Sequence, residues 1–283
     1  MILVTAATGQ VGNAALVGVA AAGVPVRALV REPSRHAFPA GVEIAAGSFE
    51  DEAALAVACE GVDVLLLAGR DGPDAVEQHR RVLDHAARAG VRHIVKLSAI
   101  GATAASPVAL MREHHAVDEL VQAGGFAWTF LEPHLFMQNL LRMAEAMRTE
   151  GRLAAPMGEG RYPLVDTSDV GTAAASVLVD PAAHAGKVYR LTGPAAVDYA
   201  EVAATFAAAV GRDVTYEAVS PRAFEARLLA AGAPGWRAYD LAHIAQAYAP
   251  AHNAVSDDLP SLLGRPATSL AAFVDRHRAA LRN

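Results

Sequence analysis

Tyrosine is missing from the first half of this chain, and lysine is scarce throughout. Every tyrosine lies at Tyr162 or later, and the only lysines are Lys96 and Lys187. Neither lysine has a tyrosine four residues before it, which excludes a tyrosine acid sharpened by a lysine one helical turn away. Cysteine occurs once. Cys59 has no partner for an internal disulfide, which excludes a disulfide-stapled secreted design and fits a reducing cytoplasm; it reads as a small buried hydrophobe near a helix end. No block of lysine or arginine is present and the net charge is -6, which argues against a surface that neutralises nucleic-acid phosphates. No apolar run approaches the ~20 residues of a spanning helix, and no basic segment precedes the first strand. A soluble, unexported protein with no membrane partner is therefore expected. Repeats and low-complexity linkers are absent too, and 283 residues suffice for one α/β domain with a smaller lobe.

What is present is organised around the first thirty-one residues. Ile2 to Ala6 reads as a strand, Ala7, Thr8, Gly9, Gln10, Val11 and Gly12 as a turn, Ala14 to Ala22 as a helix, and Val26 to Val30 as a second strand. A strand that stops at glycines and enters a helix leaves unpaired N–H groups and the positive end of the helix dipole where a pyrophosphate can sit. Gly9 would let the backbone approach the phosphate, and Gly12 would let the helix pack against the strand. Ala6 stands where the usual first glycine would be.

Arg31 ends the second strand, with Arg35 close behind. A carboxylate there would select a ribose 2′-hydroxyl, whereas a guanidinium forms a forked pair with a 2′-phosphate, so NADP(H) is expected over NAD(H). Glu32 could turn toward a 2′-hydroxyl instead, and both arginines could simply be solvated surface charges.

Alternation continues through strands at Val42 to Ala45, Val62 to Leu67, His93 to Leu97 and Ala127 to Leu131, with helices at Glu52 to Ala58, Ala75 to Ala89 and Ala109 to Ala123. This predicts a Rossmann-type doubly wound parallel sheet over residues 1–133 with ligand along the carboxyl ends of its strands. Ser48 and Phe49 would flank the adenine; Ala68, Gly69 and Arg70, and Ser98, would border the cofactor further along. Residues 134–283 form mainly a smaller, mostly helical substrate lobe, with Lys187 to Leu191 returning to the sheet. Within that lobe we expect helices at Leu140 to Thr149, Ser168 to Val179 and Ser269 to Leu281, a hairpin at Arg152 to Leu164, and a capping box at Asp198 and Glu201.

The helix after the fifth strand carries His114, His115, Asp118 and Glu119. His114 with Asp118, and His115 with Glu119, are i, i+4 neighbours. His114 either faces the nicotinamide ribose with Asp118 setting its tautomer, or forms an ordinary surface pair; His115 is expected to be the latter. Adjacent histidines on a helix point in different directions and no third ligand is evident, so no metal is assigned. After the sixth strand, His134 and Asn139 are the polar candidates for a substrate pocket and Phe136 and Met137 its apolar walls, with Trp236 and Tyr239 closing it from the lobe.

Taken together, these stretches resemble the NmrA-like branch of the atypical short-chain dehydrogenase/reductases over nearly the whole chain. The resemblance rests on Val4 to Gly12, Arg31, Gln78 to Ser98, and Asp118 through Trp128 to Asn139. Asp166 to Val170, Leu191 to Pro194 and Leu263 to Pro266 add to it. It implies NADP(H) held through Thr8 to Gly12 and Arg31, and a substrate cleft between sheet and lobe. The family includes quinone reductases, reductases of plant phenolics, and dinucleotide-binding redox sensors. Ala6, Ser48 and Glu132 depart from its usual glycine, aspartate and arginine, and His114 stands where some enzymatic relatives carry lysine. The expected function is an NADPH-dependent reductase passing hydride to a small conjugated or aromatic acceptor such as a quinone, enone or imine, with His114 and His134 as catalytic candidates. A sensor without turnover is the alternative, and a homodimer or regulatory protein partner stays open.

Overall fold

Short apolar runs punctuated by glycine produce β1 (Ile2–Val4), α1 (Gln10–Ala21), β2 (Val26–Val30), β3 (Glu43–Ala46), α2 (Glu52–Cys59) and β4 (Val64–Leu67). They continue through α3 (Ala75–Arg88), β5 (His93–Leu97), α4 (Ala109–Ala123) and β6 (Ala127–Pro133). The computed structural model describes residues 1–248 and 250–282, with positions 250 and 251 described in backbone alone. Next come α5 (Gln138–Leu141), α6 (Ala144–Glu150), β7 (Arg152–Ala155), α7 (Thr167–Val179), β8 (Lys187–Leu191), α8 (Tyr199–Val210) and β9 (Thr215–Ala218). α9 (Pro221–Ala230), α10 (Gly235–His243), α11 (Asp258–Leu263), α12 (Leu270–Arg276) and α13 (Arg278–Arg282) complete the described helices.

Seven strands form one parallel sheet in the order β3-β2-β1-β4-β5-β6-β8. This is the expected Rossmann-type sheet, and β8 joins its edge beside β6, as the Lys187 to Leu191 run suggested. Alternate residues face opposite layers. Val4, Ala28, Leu66, Val95 and Leu131 pack beneath α1 and α7; Leu3, Leu29, Leu65, Ile94 and Phe130 pack beneath α2, α3 and α4. Burial on both faces explains why these strands read as unbroken apolar runs. α1 and α7 approach closely because Gly18 meets Ala175 and Gly171 meets Ala14, where a further Cβ would collide. The chain order reverses between β1 and β4, which opens a crevice at their carboxyl ends.

A separate apolar cluster, including Met147, Leu153, Val202, Phe206 and Phe273, joins α6, β7, α8 and α12 into the lobe. The capping box at Asp198 forms as expected, with Glu201 N–H bonded to Asp198 Oδ1 at 2.8 Å and the reciprocal bond at 2.9 Å. The hairpin expected within Arg152 to Leu164 does not form. Instead β7 pairs in parallel with β9, in the register Leu153 to Tyr216. Glycine and proline mark a turn after β7 but cannot say which strand it pairs with; packing of the lobe decides that. The helix expected from Ser269 to Leu281 likewise breaks at His277, whose ring Nδ1 bonds Phe273 O at 2.9 Å.

Candidate functional site

The crevice starts at the β1–α1 turn. Thr5, fully buried, anchors it: its Oγ1 lies 2.8 Å from Leu66 O and 2.7 Å from Ala68 O, and accepts Ala68 N–H at 2.9 Å. Ala6 follows with φ of 49°, the left-handed region that costs a non-glycine residue about 1 kcal/mol. Gly9 N–H bonds Ala6 O at 2.8 Å, and a Cβ at Gly12 would run into the same carbonyl. No side chain caps α1, so its first N–H groups stay available to an anion. Thr8, Gly9, Gln10 and Asn13 face His36, Ala37 and Phe38 across a cavity of about 290 Å³. Asn13 and His36 to Phe38 escaped the sequence reading because the loop after β2 has no pattern that aims it at the turn.

Arg31 is exposed and has no hydrogen bond or ion pair to any described residue. Glu32 does not compete with it, because Arg35 Nε holds the Glu32 carboxylate at 2.6 Å. Ser48 Oγ accepts Glu50 N–H at 3.3 Å. Phe49 sets its ring edge on His79, centroids 5.7 Å apart, and the His79 ring lies directly under Gly69. Burial pushes His79 down to about 4, and its Nδ1 is bonded to Ala75 O at 2.7 Å.

Beyond Gly69 the crevice has a floor of ionisable side chains. Lys96 is buried on β5, and its Nζ lies 2.9 Å from His114 Nδ1, 3.3 Å from His114 O and 2.9 Å from Asp118 Oδ1. Ser98 Oγ donates to Asp118 Oδ2 at 2.6 Å. The expected His114–Asp118 pair therefore does not form: Lys96 stands between them and takes both. Burial, then the Lys96 charge, holds His114 well below the usual histidine range. Glu132, on β6, is pushed up to about 7 by burial and by the Asp118 charge. Lys96 was missed as a site residue, although an ammonium inside Ile94, Val95 and Leu97 is itself a signal, because a charge on a strand covered on both faces must find partners. His115 meets Glu119 at 3.7 Å on the helix surface, as expected.

The lobe reaches this floor through α10. Val108 gives α4 no side-chain cap; instead Asp240 accepts Ala109 N–H at 2.9 Å and Leu110 N–H at 2.8 Å. Trp236 is half-buried over Gly72, and Tyr239 is exposed and stacked on His243 at 4.1 Å. His134 departs from its expected role. Its Nδ1 accepts Leu135 N–H at 2.8 Å, its Nε2 lies 3.1 Å from Asn253 Oδ1, and its ring stacks on Tyr248 at 4.3 Å. With both nitrogens occupied and burial lowering it to about 4, it is a packed neutral ring of the lobe. Phe136 packs on the sheet-side core, Met137 lines a separate cavity of about 450 Å³ with Leu164 and Pro194, and Asn139 is exposed. These three are not gathered around His114.

Comparison with known proteins sharpens this picture. The NmrA-like family matches residues 1–270. An NAD(P)H azoreductase of Xenophilus azovorans is 36% identical over 283 residues, covering 99% of each chain. The structure of an NADPH-dependent quinone oxidoreductase from Escherichia coli, complexed with NADPH, superposes with a TM-score of 0.87 at 32% identity, covering 98% of this chain and 99% of that one. A Citrobacter sp. triphenylmethane reductase complexed with NADP(H) follows at TM-score 0.85 and 27% identity, with coverage of 98% and 99%. The glycine turn, the parallel sheet and the full-length matches agree, and the chain belongs to the NmrA-like family.

Proposed function

We propose that this NmrA-like chain, an NAD(P)H-dependent oxidoreductase like its full-length relatives, is an NADPH-dependent reductase of small conjugated or aromatic acceptors such as quinones, enones and imines. The observation that carries the cofactor half is Arg31, an exposed guanidinium just past the end of β2 with no hydrogen bond or ion pair to a described residue; Arg35 holds the adjacent Glu32, and the Glu50 carboxylate feels the Arg31 charge without pairing with it. The residues fit a dinucleotide: α1 begins with no side-chain cap on its first N–H groups, Thr8, Gly9, Gln10 and Asn13 at that turn line the cavity, and Gly12, where a Cβ would run into the Ala6 carbonyl, lets the helix start close against β1. Arg31 would hold the 2′-phosphate and the turn the pyrophosphate, which favours NADP(H) over NAD(H). When bound, NADPH supplies the hydride.

The acceptor half is supported by what the floor holds. Tyr162 and Tyr248 pack around His134 in the lobe, and the Tyr162 hydroxyl bonds Met157 O at 3.2 Å. No described tyrosine bonds Lys96 or His114. An acceptor whose charge delocalises into a conjugated system needs little acid help, which suits a neutral imidazole rather than a tyrosine acid. His114 and Ser98 would border the reacting centre, and Trp236, over Gly72, would shield it from water. The relatives named above reduce azo, quinone and triphenylmethane compounds by their descriptions, in keeping with conjugated acceptors.

The test is titration with NADPH and NADH followed by anaerobic absorbance measurements with a panel of quinones, enones and imines. Tighter NADPH binding, with consumption that needs both protein and acceptor, supports the reading. Tight binding without consumption across the panel would overturn it in favour of a sensor.

A further inference from the structure

We propose that Lys96 is a positioning residue that fixes His114 as the tautomer carrying its proton on Nε2, presenting a neutral N–H donor to the acceptor of the reductase reaction. The identity of the acceptor rests on the reading above; the tautomer does not. An ammonium has three N–H donors and no acceptor. Lys96 Nζ has two hydrogen-bond partners, His114 Nδ1 at 2.9 Å and His114 O at 3.3 Å, and an ion-pair partner in Asp118 Oδ1 at 2.9 Å. A donor-only group facing Nδ1 requires that nitrogen to be bare, which leaves the proton on Nε2. His114 Nε2 has no hydrogen bond to any described residue, and the residue is only partly buried, which leaves this N–H to a ligand.

The surroundings keep the ring in this state. Asp118 secures Lys96 and is itself tied to Ser98 Oγ. The titratable groups around the floor are Lys96 from β5, His79 from α3, Glu113 and Asp118 from α4, Glu132 from β6 and Asp71 from the loop after β4. Burial and the adjacent Lys96 charge both oppose a second proton on His114. A neutral imidazole donor can polarise a carbonyl or azomethine without the pH dependence of an imidazolium.

The tautomer is read directly by two-dimensional 15N–1H spectroscopy of histidine-labelled full-length protein without cofactor, assigning His114 by its loss in His114→Gln. The wild type should show only the Nε2–H form, with no titration between about pH 5.5 and 8. Lys96→Met could leave Asp118 as an uncompensated buried charge, so the double variant Lys96→Met, Asp118→Asn is compared as well. There the His114 signals should average between tautomers and begin to titrate, and kcat should fall about 10-fold or more with the acceptor KM little changed. An Nδ1–H signal in the wild type, or an unchanged Nε2–H signal in the double variant, would overturn the assignment. The expected tautomer shift without turnover by the wild type would support the assignment and count against the reductase reading alone.

Discussion

The β1–α1 turn and the floor beneath β5 are built from different materials. At the turn the working groups are backbone: the carbonyl of Ala6, the N–H of Gly9 and the uncapped start of α1, all within a few residues of one another. At the floor they are side chains, with Lys96, Ser98, His114, Asp118 and Glu132 contributed by β5, its carboxyl end, α4 and β6. A backbone site fails when a Cβ is added and tolerates changes of side-chain chemistry. A side-chain site fails when one partner is removed, because the rest remain buried with unmatched charge.

That contrast is sharpest for Lys96→Met. Removing the ammonium leaves Asp118 buried beside Glu132, and stability should fall by ~3–5 kcal/mol in urea unfolding, with Asp118→Asn restoring much of it. An unchanged midpoint would mean the floor is not held by its ion pair. Acid gives the next largest effect. His79 and His134 have folded values of about 4 against an ordinary 6.5, so both are neutral in either state above that range. As pH falls from about 6.5 to 4 the unfolded chain takes up protons that the folded chain refuses, and stability drops by up to ~3 kcal/mol per histidine. His134→Phe should flatten its share of that slope, while the turn, with no ionisable residue from Thr8 to Gly12, should contribute nothing.

Smaller effects probe the turn. Arg31→Ala should narrow the gap between NADPH and NADH affinity by ~1–3 kcal/mol without moving the unfolding midpoint, since Arg31 is exposed and bonds no described residue. An unchanged ratio would remove the 2′-phosphate role. Ala6→Gly relieves a left-handed residue and should stabilise the fold by ~1 kcal/mol, read as a higher urea midpoint. A lower midpoint would show that Ala6 carries no strain there.

The same contrast explains what the sequence made legible. Val26–Val30, His93–Leu97 and Ala109–Ala123 matched their expected bounds because hydrophobic period and glycine stops are local signals. The turn was legible for the same reason, glycine spacing being local too. The pairing of β7 with β9 was not, since it joins residues far apart in the chain. His114 was singled out, but its partner was misread: i, i+4 spacing pointed to Asp118, and only the sheet brings Lys96 between them. His134 looked exposed to the crevice from its place after β6, yet Asn253 and Tyr248 from a distant segment enclose it. Asp240 capping α4 is likewise invisible until the lobe folds back.

The most direct test of the account is transfer of label from C4-deuterated NADPH to an enone under anaerobic conditions, with the product analysed by mass spectrometry. The account predicts deuterium on a carbon of the reduced enone in step with cofactor oxidation, slowed in the Lys96→Met, Asp118→Asn variant. Saturable NADPH binding with unlabelled, unreduced enone, repeated with labelled cofactor and an imine, would contradict it and leave a dinucleotide-binding protein without hydride transfer.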